Sequence, residues 1–130
     1  QRLAAEKNEL RIVDDQVGTP TWCVSIAEAV GKIILNILQR DQLNILTAIK
    51  NISGIYNMTC MGETSWHGFA QAIFEKSGRT APKLTPVPTT EHPTPATRPK
   101  YTVLSNLKLK KSFNIELPEW QTSLKHCLKP

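Results

Sequence analysis

Apolar positions along this chain fall into a few short runs and one long periodic stretch, with polar turns between them. Ile26, Val30, Ile33 and Ile37 recur at helical spacing, with Ala27, Ile34 and Leu38 beside them, so the pattern predicts a helix to about residue 38. Ser25-Ile26-Ala27-Glu28 has the form of a capping box and sets its start there. Apolar residues cover much of the circumference, which predicts packing on two sides. A second amphipathic helix is expected over 66–76, burying Phe69, Ala70, Ile73 and Phe74, with Thr64 or Ser65 as N-cap and Gly78 as left-handed C-cap. Ser105 caps a short helix through Leu107, Leu109 and Phe113. Pro118 opens a last one, with Trp120, Leu124 and Leu128 on one face. Residues 43–50 leave a further helix and a linker equally open.

Strands are expected at 10–13, 55–60 and 84–87, the last confined to an edge or strand end by Pro86. Between the first strand and the first long helix runs Asp14-Asp15-Gln16-Val17-Gly18-Thr19-Pro20-Thr21. Its short polar side chains favour turns, and Pro20 holds Thr19 extended. From spacing alone, turn chemistry accounts for every residue in it. From Pro86 to Pro99 there are five prolines, both ends included. With so many φ angles fixed, the unfolded chain has less entropy to lose, and an extended wrap over the domain surface is expected.

With 130 residues, 40% of them apolar, the chain has the size and composition of one globular domain. No apolar run approaches the roughly 20 residues of a membrane span, and no secretory signal pattern is present. The net charge of +5 is spread out except at Lys108, Lys110 and Lys111, which reads as a solvated surface rather than a nucleic-acid patch. Cys23, Cys60 and Cys127 have no metal-like spacing and suit a reducing cytoplasm, with thiols serving as small apolar residues. His67, His92 and His126 likewise share no ligand spacing and read as satisfied or solvated. Trp22, Trp66 and Trp120 stand near helix starts and read as core anchors, with base stacking as the other use. The chain opens without methionine on Gln1-Arg2-Leu3-Ala4-Ala5-Glu6-Lys7, helix formers with no cap before them. It is expected to be the C-terminal part of a longer polypeptide.

The loop Asp14-Asp15-Gln16-Val17-Gly18-Thr19-Pro20-Thr21 resembles the signature loop of the dTDP-4-dehydrorhamnose reductases, members of the extended short-chain dehydrogenase/reductase superfamily. Three later stretches match in order. They are Gly54-Ile55-Tyr56-Asn57 with Thr64-Ser65-Trp66-His67, then Pro88-Thr89-Thr90 through Arg98-Pro99, then Leu117-Pro118-Glu119-Trp120-Gln121. The resemblance implies an α+β fold: the small C-terminal substrate domain of such an enzyme, a few short strands with about four helices, the Rossmann domain absent. Residues 1–9 would be the remnant of a helix from that missing domain, and 10–130 the sugar-nucleotide-binding domain. The parent activity it implies is reduction of dTDP-4-dehydro-L-rhamnose to dTDP-L-rhamnose by NADPH or NADH, in the cytoplasm, for polysaccharide biosynthesis. A non-catalytic relative, resembling the methionine adenosyltransferase regulatory subunit, is the alternative. An autonomous basic binding module is a third reading.

Such a reductase needs a Gly-rich phosphate loop and a Tyr-x-x-x-Lys pair. Neither occurs: the fourth residue after Tyr56 is Cys60, and after Tyr101 it is Ser105. No catalytic residue, cofactor or metal is therefore expected on this chain. The resemblance assigns Arg98 to the nucleotide diphosphate, a role that suits a planar guanidinium fork, with Pro99 holding the preceding backbone extended. Gln16, Thr19 and Thr21 lie ahead of a helix N-terminus, where backbone N–H groups attract anions. Lining a dTDP-sugar cleft and packing the loop against the missing domain are both open to them. Asp14 and Asp15 are expected to orient the loop. Without its Rossmann partner the domain should expose an apolar face and self-associate through it.

Overall fold

A computed structural model of the chain describes residues 6–39, 45–80 and 82–129. The expected remnant helix falls mostly outside them, and the first strand begins one residue earlier than expected. This strand, β1 (Glu9–Val13), pairs in parallel with β4 (Lys83–Val87), with Glu9 opposite Lys83 and Val13 opposite Val87. Pro86 sits opposite Ile12 on a pair with no further strand beside it among the described residues, where its missing N–H costs least. The two-residue strands β2 (Val17–Gly18) and β3 (Thr64–Ser65) pair antiparallel.

Helix α1 spans Cys23–Gln39 and α2 spans Ile45–Ile52, which settles residues 45–50 as helical and leaves 43 and 44 outside the described residues. Ser25 is not the cap expected of it. The helix starts two residues earlier, and the buried Ser25 hydroxyl instead meets that of Ser123 at 3.2 Å. Nor is α1 packed on two sides. Ala29 is buried, but Val30, Ile34, Leu35 and Leu38 are exposed, and the apolar face continues onto Leu46 and Ile49 of α2.

Helix α3 (Trp66–Ser77) is capped by Ser65, whose Oγ accepts the Gly68 amide at 2.9 Å, and ends at Gly78 with φ 64°. His67 and Ala72 are its fully buried residues, with Phe69, Ala70, Ile73 and Phe74 half-buried. A 3-10 turn at Thr89–Glu91 breaks the proline-rich stretch, and residues 91–100 are exposed throughout. Helices α4 (Leu107–Phe113) and α5 (Trp120–Cys127) complete the chain. Glu119 is the N-cap of α5, so Pro118 lies just before the helix rather than in its first turn.

No strand forms at 55–60. There the Asn106 side chain takes the place of a neighbouring strand: its Oδ1 accepts the Thr59 amide at 3.2 Å and its Nδ2 donates to the Thr59 carbonyl at 2.7 Å. Lys108 donates to the Ile55 carbonyl at 2.8 Å. With these backbone groups bonded to side chains, no ladder is built, and Ile55 is 89% exposed.

Two apolar clusters form the core. Ala29, Leu109, Ile115 and Leu117 make one, with Ile26, Met58 and the edge-on pair Tyr56–Phe113 against it. Cys60, Ala72, Trp120 and Leu124 make the other, with Phe69 meeting Trp120 edge-on at 5.8 Å. Cys60 is buried as expected, but Cys23 and Cys127 are exposed free thiols and do not serve as core residues. Of the tryptophans only Trp120 is fully buried; Trp22 is half-buried and Trp66 is 60% exposed. No helix among the described residues is long and apolar enough to cross a membrane.

Candidate functional site

Strand β2 is paired on both edges. Val17 and Gly18 face Ser65 and Thr64 on one side. On the other, the Val17 amide donates to the Lys100 carbonyl at 2.8 Å and its carbonyl accepts the Thr102 amide at 2.9 Å, a parallel bridge to Tyr101. Three remote parts of the chain thus meet at one dipeptide. Gly18 is required by closeness rather than by φ, since a Cβ there would stand 2.8 Å from Thr102 Oγ1.

Around this junction opens a hollow of about 460 Å³. The loop from Gln16 to Thr21 lines one part, Thr64, Ser65, Trp66 and Phe69 another, and Arg98, Pro99 and Thr102 the third. All four residues singled out in the sequence, Arg98, Gln16, Thr19 and Thr21, therefore share one cavity. A smaller hollow of about 220 Å³, which also touches Thr19, carries its charge as the Lys110–Glu116 pair at 2.8 Å.

The polar groups differ in how far they are engaged. Thr19 Oγ1 donates to the Gly62 carbonyl at 2.8 Å. Thr21 Oγ1 donates to the Thr19 carbonyl at 3.1 Å and accepts the Cys60 amide at the same distance. Both hydroxyl protons hold the loop in shape, so toward a ligand these threonines can only accept. Gln16 Nε2 donates to Thr89 Oγ1 at 3.0 Å. Arg98 is exposed on the wall, with no hydrogen-bond or ion-pair partner among the described residues.

The two aspartates orient the loop, as expected. Asp15 Oδ1 accepts from the Thr89 hydroxyl at 2.5 Å and the Thr89 amide at 2.8 Å. These bonds, the hydroxyl's above all, hold its carboxyl below the ordinary value, and Lys100 at 3.8 Å adds to the effect. Asp14 accepts from the Ser65 hydroxyl and lies 3.8 Å from His67 Nδ1. His67 is neither satisfied nor solvated in full: it is buried, and its Nε2 lacks a partner among the described residues. Tyr101 donates to Glu63 at 2.6 Å, which pushes the phenol pKa up. That is opposite to the shift a proton-donating reductase tyrosine needs.

Trp66 is the wall residue that the sequence reading assigned elsewhere. Its place at a helix start reads as a core anchor, but as the first residue of α3 it lies beyond the packed turns and is exposed. Its position directly after the capping Ser65 was the available signal.

Against known proteins, the family model described as RmlD substrate binding domain matches residues 1–130. A dTDP-4-dehydrorhamnose reductase of Burkholderia thailandensis is 41% identical over 98% of this chain and 44% of its own length. Among solved structures, a dTDP-4-dehydrorhamnose reductase ortholog of Clostridium acetobutylicum superposes with a TM-score of 0.77 at 40% identity. The reductase of Bacillus anthracis, solved in complex with NADP, gives 0.78 at 28% identity. The chain covers 39% of each of these two structures while 96% of it is matched, so it spans about two fifths of the length of its relatives.

Proposed function

The chain belongs to the RmlD substrate binding domain family, and from that premise we propose that it is the sugar-nucleotide-holding part of a dTDP-4-dehydrorhamnose reductase. The parent enzyme reduces dTDP-4-dehydro-L-rhamnose to dTDP-L-rhamnose in the cytoplasm, for polysaccharide biosynthesis. NADPH or NADH supplies the hydride for the C4 carbonyl. The sequence has neither the Gly-rich loop nor the Tyr-x-x-x-Lys pair for that chemistry, so the residues here bind and orient the substrate and carry no step of the reduction. The cofactor part covers the apolar face of α1 and α2.

The observation that supports this reading is the unpaired Arg98 guanidinium on the wall of the hollow built by the Gln16–Thr21 loop. A cation left free beside polar acceptors suits a diphosphate, which a guanidinium can engage at two oxygens. Gln16, Thr19 and Thr21 shape the cleft beside it. Titration of the full-length protein with dTDP tests the reading. Arg98→Ala is expected to weaken binding tenfold or more, as for a lost charge-assisted hydrogen bond. Unchanged affinity would overturn it.

A further inference from the structure

The hollow has an aromatic wall and a polar acceptor whose use the diphosphate contact does not explain. Strand register places them. Trp66 follows Ser65, which faces Val17 in an antiparallel pair, so Trp66 lies beside the Gln16 end of β2. Residues 100–102 run parallel to β2, so Arg98, two residues before Lys100, approaches the same end from the other flank. Gln16 therefore stands between an exposed indole and an unpaired guanidinium.

The direction of the Gln16 amide is fixed by its neighbours. Asp15 is held ionised by its bonds, so its oxygen can only accept, and the Thr89 hydroxyl proton goes to it at 2.5 Å. Thr89 Oγ1 must then accept from Gln16, which turns Nε2 toward it at 3.0 Å. Gln16 Oε1 is left as a carbonyl acceptor with no partner among the described residues.

We propose that Trp66 stacks on the base of the bound nucleotide, and that Gln16 Oε1 accepts the N3–H of a pyrimidine-2,4-dione. The pair reads the base as thymine or uracil and rejects cytosine, whose N3 offers a lone pair to that oxygen. The inference rests on the sugar-nucleotide reading above and adds the base-selecting residues to it. Base–aromatic stacking is tolerant of the base's identity; discrimination falls to Gln16, because an acceptor set against an acceptor leaves both unpaired.

The test is calorimetric titration of the full-length protein with dTDP, dCDP and inorganic pyrophosphate, with tryptophan fluorescence read alongside. dTDP is expected to bind at least tenfold more tightly than dCDP. Trp66→Ala should weaken dTDP tenfold or more, Trp66→Phe should abolish the quenching of indole emission by dTDP while keeping most of the affinity, and Thr89→Val, which frees the amide to turn, should narrow the dTDP/dCDP ratio. Equal affinity for dTDP and dCDP, or full quenching in Trp66→Phe, overturns the proposal. Pyrophosphate separates this from the reading beneath it. If pyrophosphate binds and Arg98→Ala abolishes that binding while the base effects are absent, the base assignment falls and the diphosphate site stands. If Arg98→Ala leaves both dTDP and pyrophosphate unaffected, the site itself falls.

Discussion

The main-chain amide of Val17 donates to the carbonyl of Lys100 at 2.8 Å, and this bond brings Arg98 to the hollow. The wall is positioned by backbone, with the amide of Thr102, two residues on, returning the bond to Val17. The space at this junction is tight on the Gly18 side.

Gly18→Ala should therefore act on ligand affinity through Thr102. The added Cβ meets Oγ1 at 2.8 Å, and relieving such a contact costs about 1–3 kcal/mol. We expect weaker dTDP binding and a lower urea midpoint. In a double-mutant cycle, Gly18→Ala with Thr102→Ala should recover part of both losses.

Gly62 carries a heavier constraint. Its φ is 78°, and a Cβ would stand 2.7 Å from Glu119 Oε2 and 3.1 Å from Trp120 Cδ1. Gly62→Ala is expected to destabilise the fold by about 1–3 kcal/mol. Its carbonyl also accepts from Thr19, so a fall in dTDP affinity should accompany the shift in the denaturation curve.

Asn106→Leu removes the side chain that bonds both the amide and the carbonyl of Thr59. Losing both is expected to cost about 1–3 kcal/mol. Asn106→Asp keeps the acceptor and loses the donor, and should fall between wild type and Asn106→Leu in chemical denaturation. Hydrogen exchange at Thr59 should quicken in Asn106→Leu.

Asp15 gives a pH dependence of defined sign. Its folded pKa lies below the ordinary 3.8, chiefly through the Thr89 hydroxyl. The unfolded state therefore takes up the proton first, and the stabilisation is present above that ordinary value and fades as pH falls toward the folded one. The acid limb of a thermal-stability profile should be shallower in Asp15→Asn, with the two proteins converging at low pH.

The α1–α2 face predicts behaviour of the chain on its own. Ile34, Leu35 and Leu38 are each more than half exposed, and contiguous apolar area of this kind drives association. Sedimentation of the isolated chain should show species heavier than a monomer. Leu35→Glu with Leu38→Glu should shift it toward the monomer.

Much of the architecture was legible where a local rule decides it. Ser65 and Gly78 bracket α3 because cap geometry depends on neighbouring residues alone. Arg98 and the Gln16–Thr21 loop were linked through the family resemblance, and they do line one hollow. What escaped depended on partners remote in sequence. Ser25 has the capping pattern, but a hydroxyl on α5 claims it. Residues 55–60 have strand composition, but their backbone is met by the Asn106 and Lys108 side chains instead of a ladder. Trp66 stands at a helix start, where anchoring aromatics are common, yet it precedes the turns of α3 that pack on the core.

Because Lys100 holds Val17 through its carbonyl alone, its own side chain is free to change without unseating the wall. Almost any residue offers the same N–H and C=O, so substitutions at 100 and 101 can retune charge at the mouth while the guanidinium stays in position. Proline is the exception: at 17 or 102 it would delete one of the two bonds and cut the wall loose.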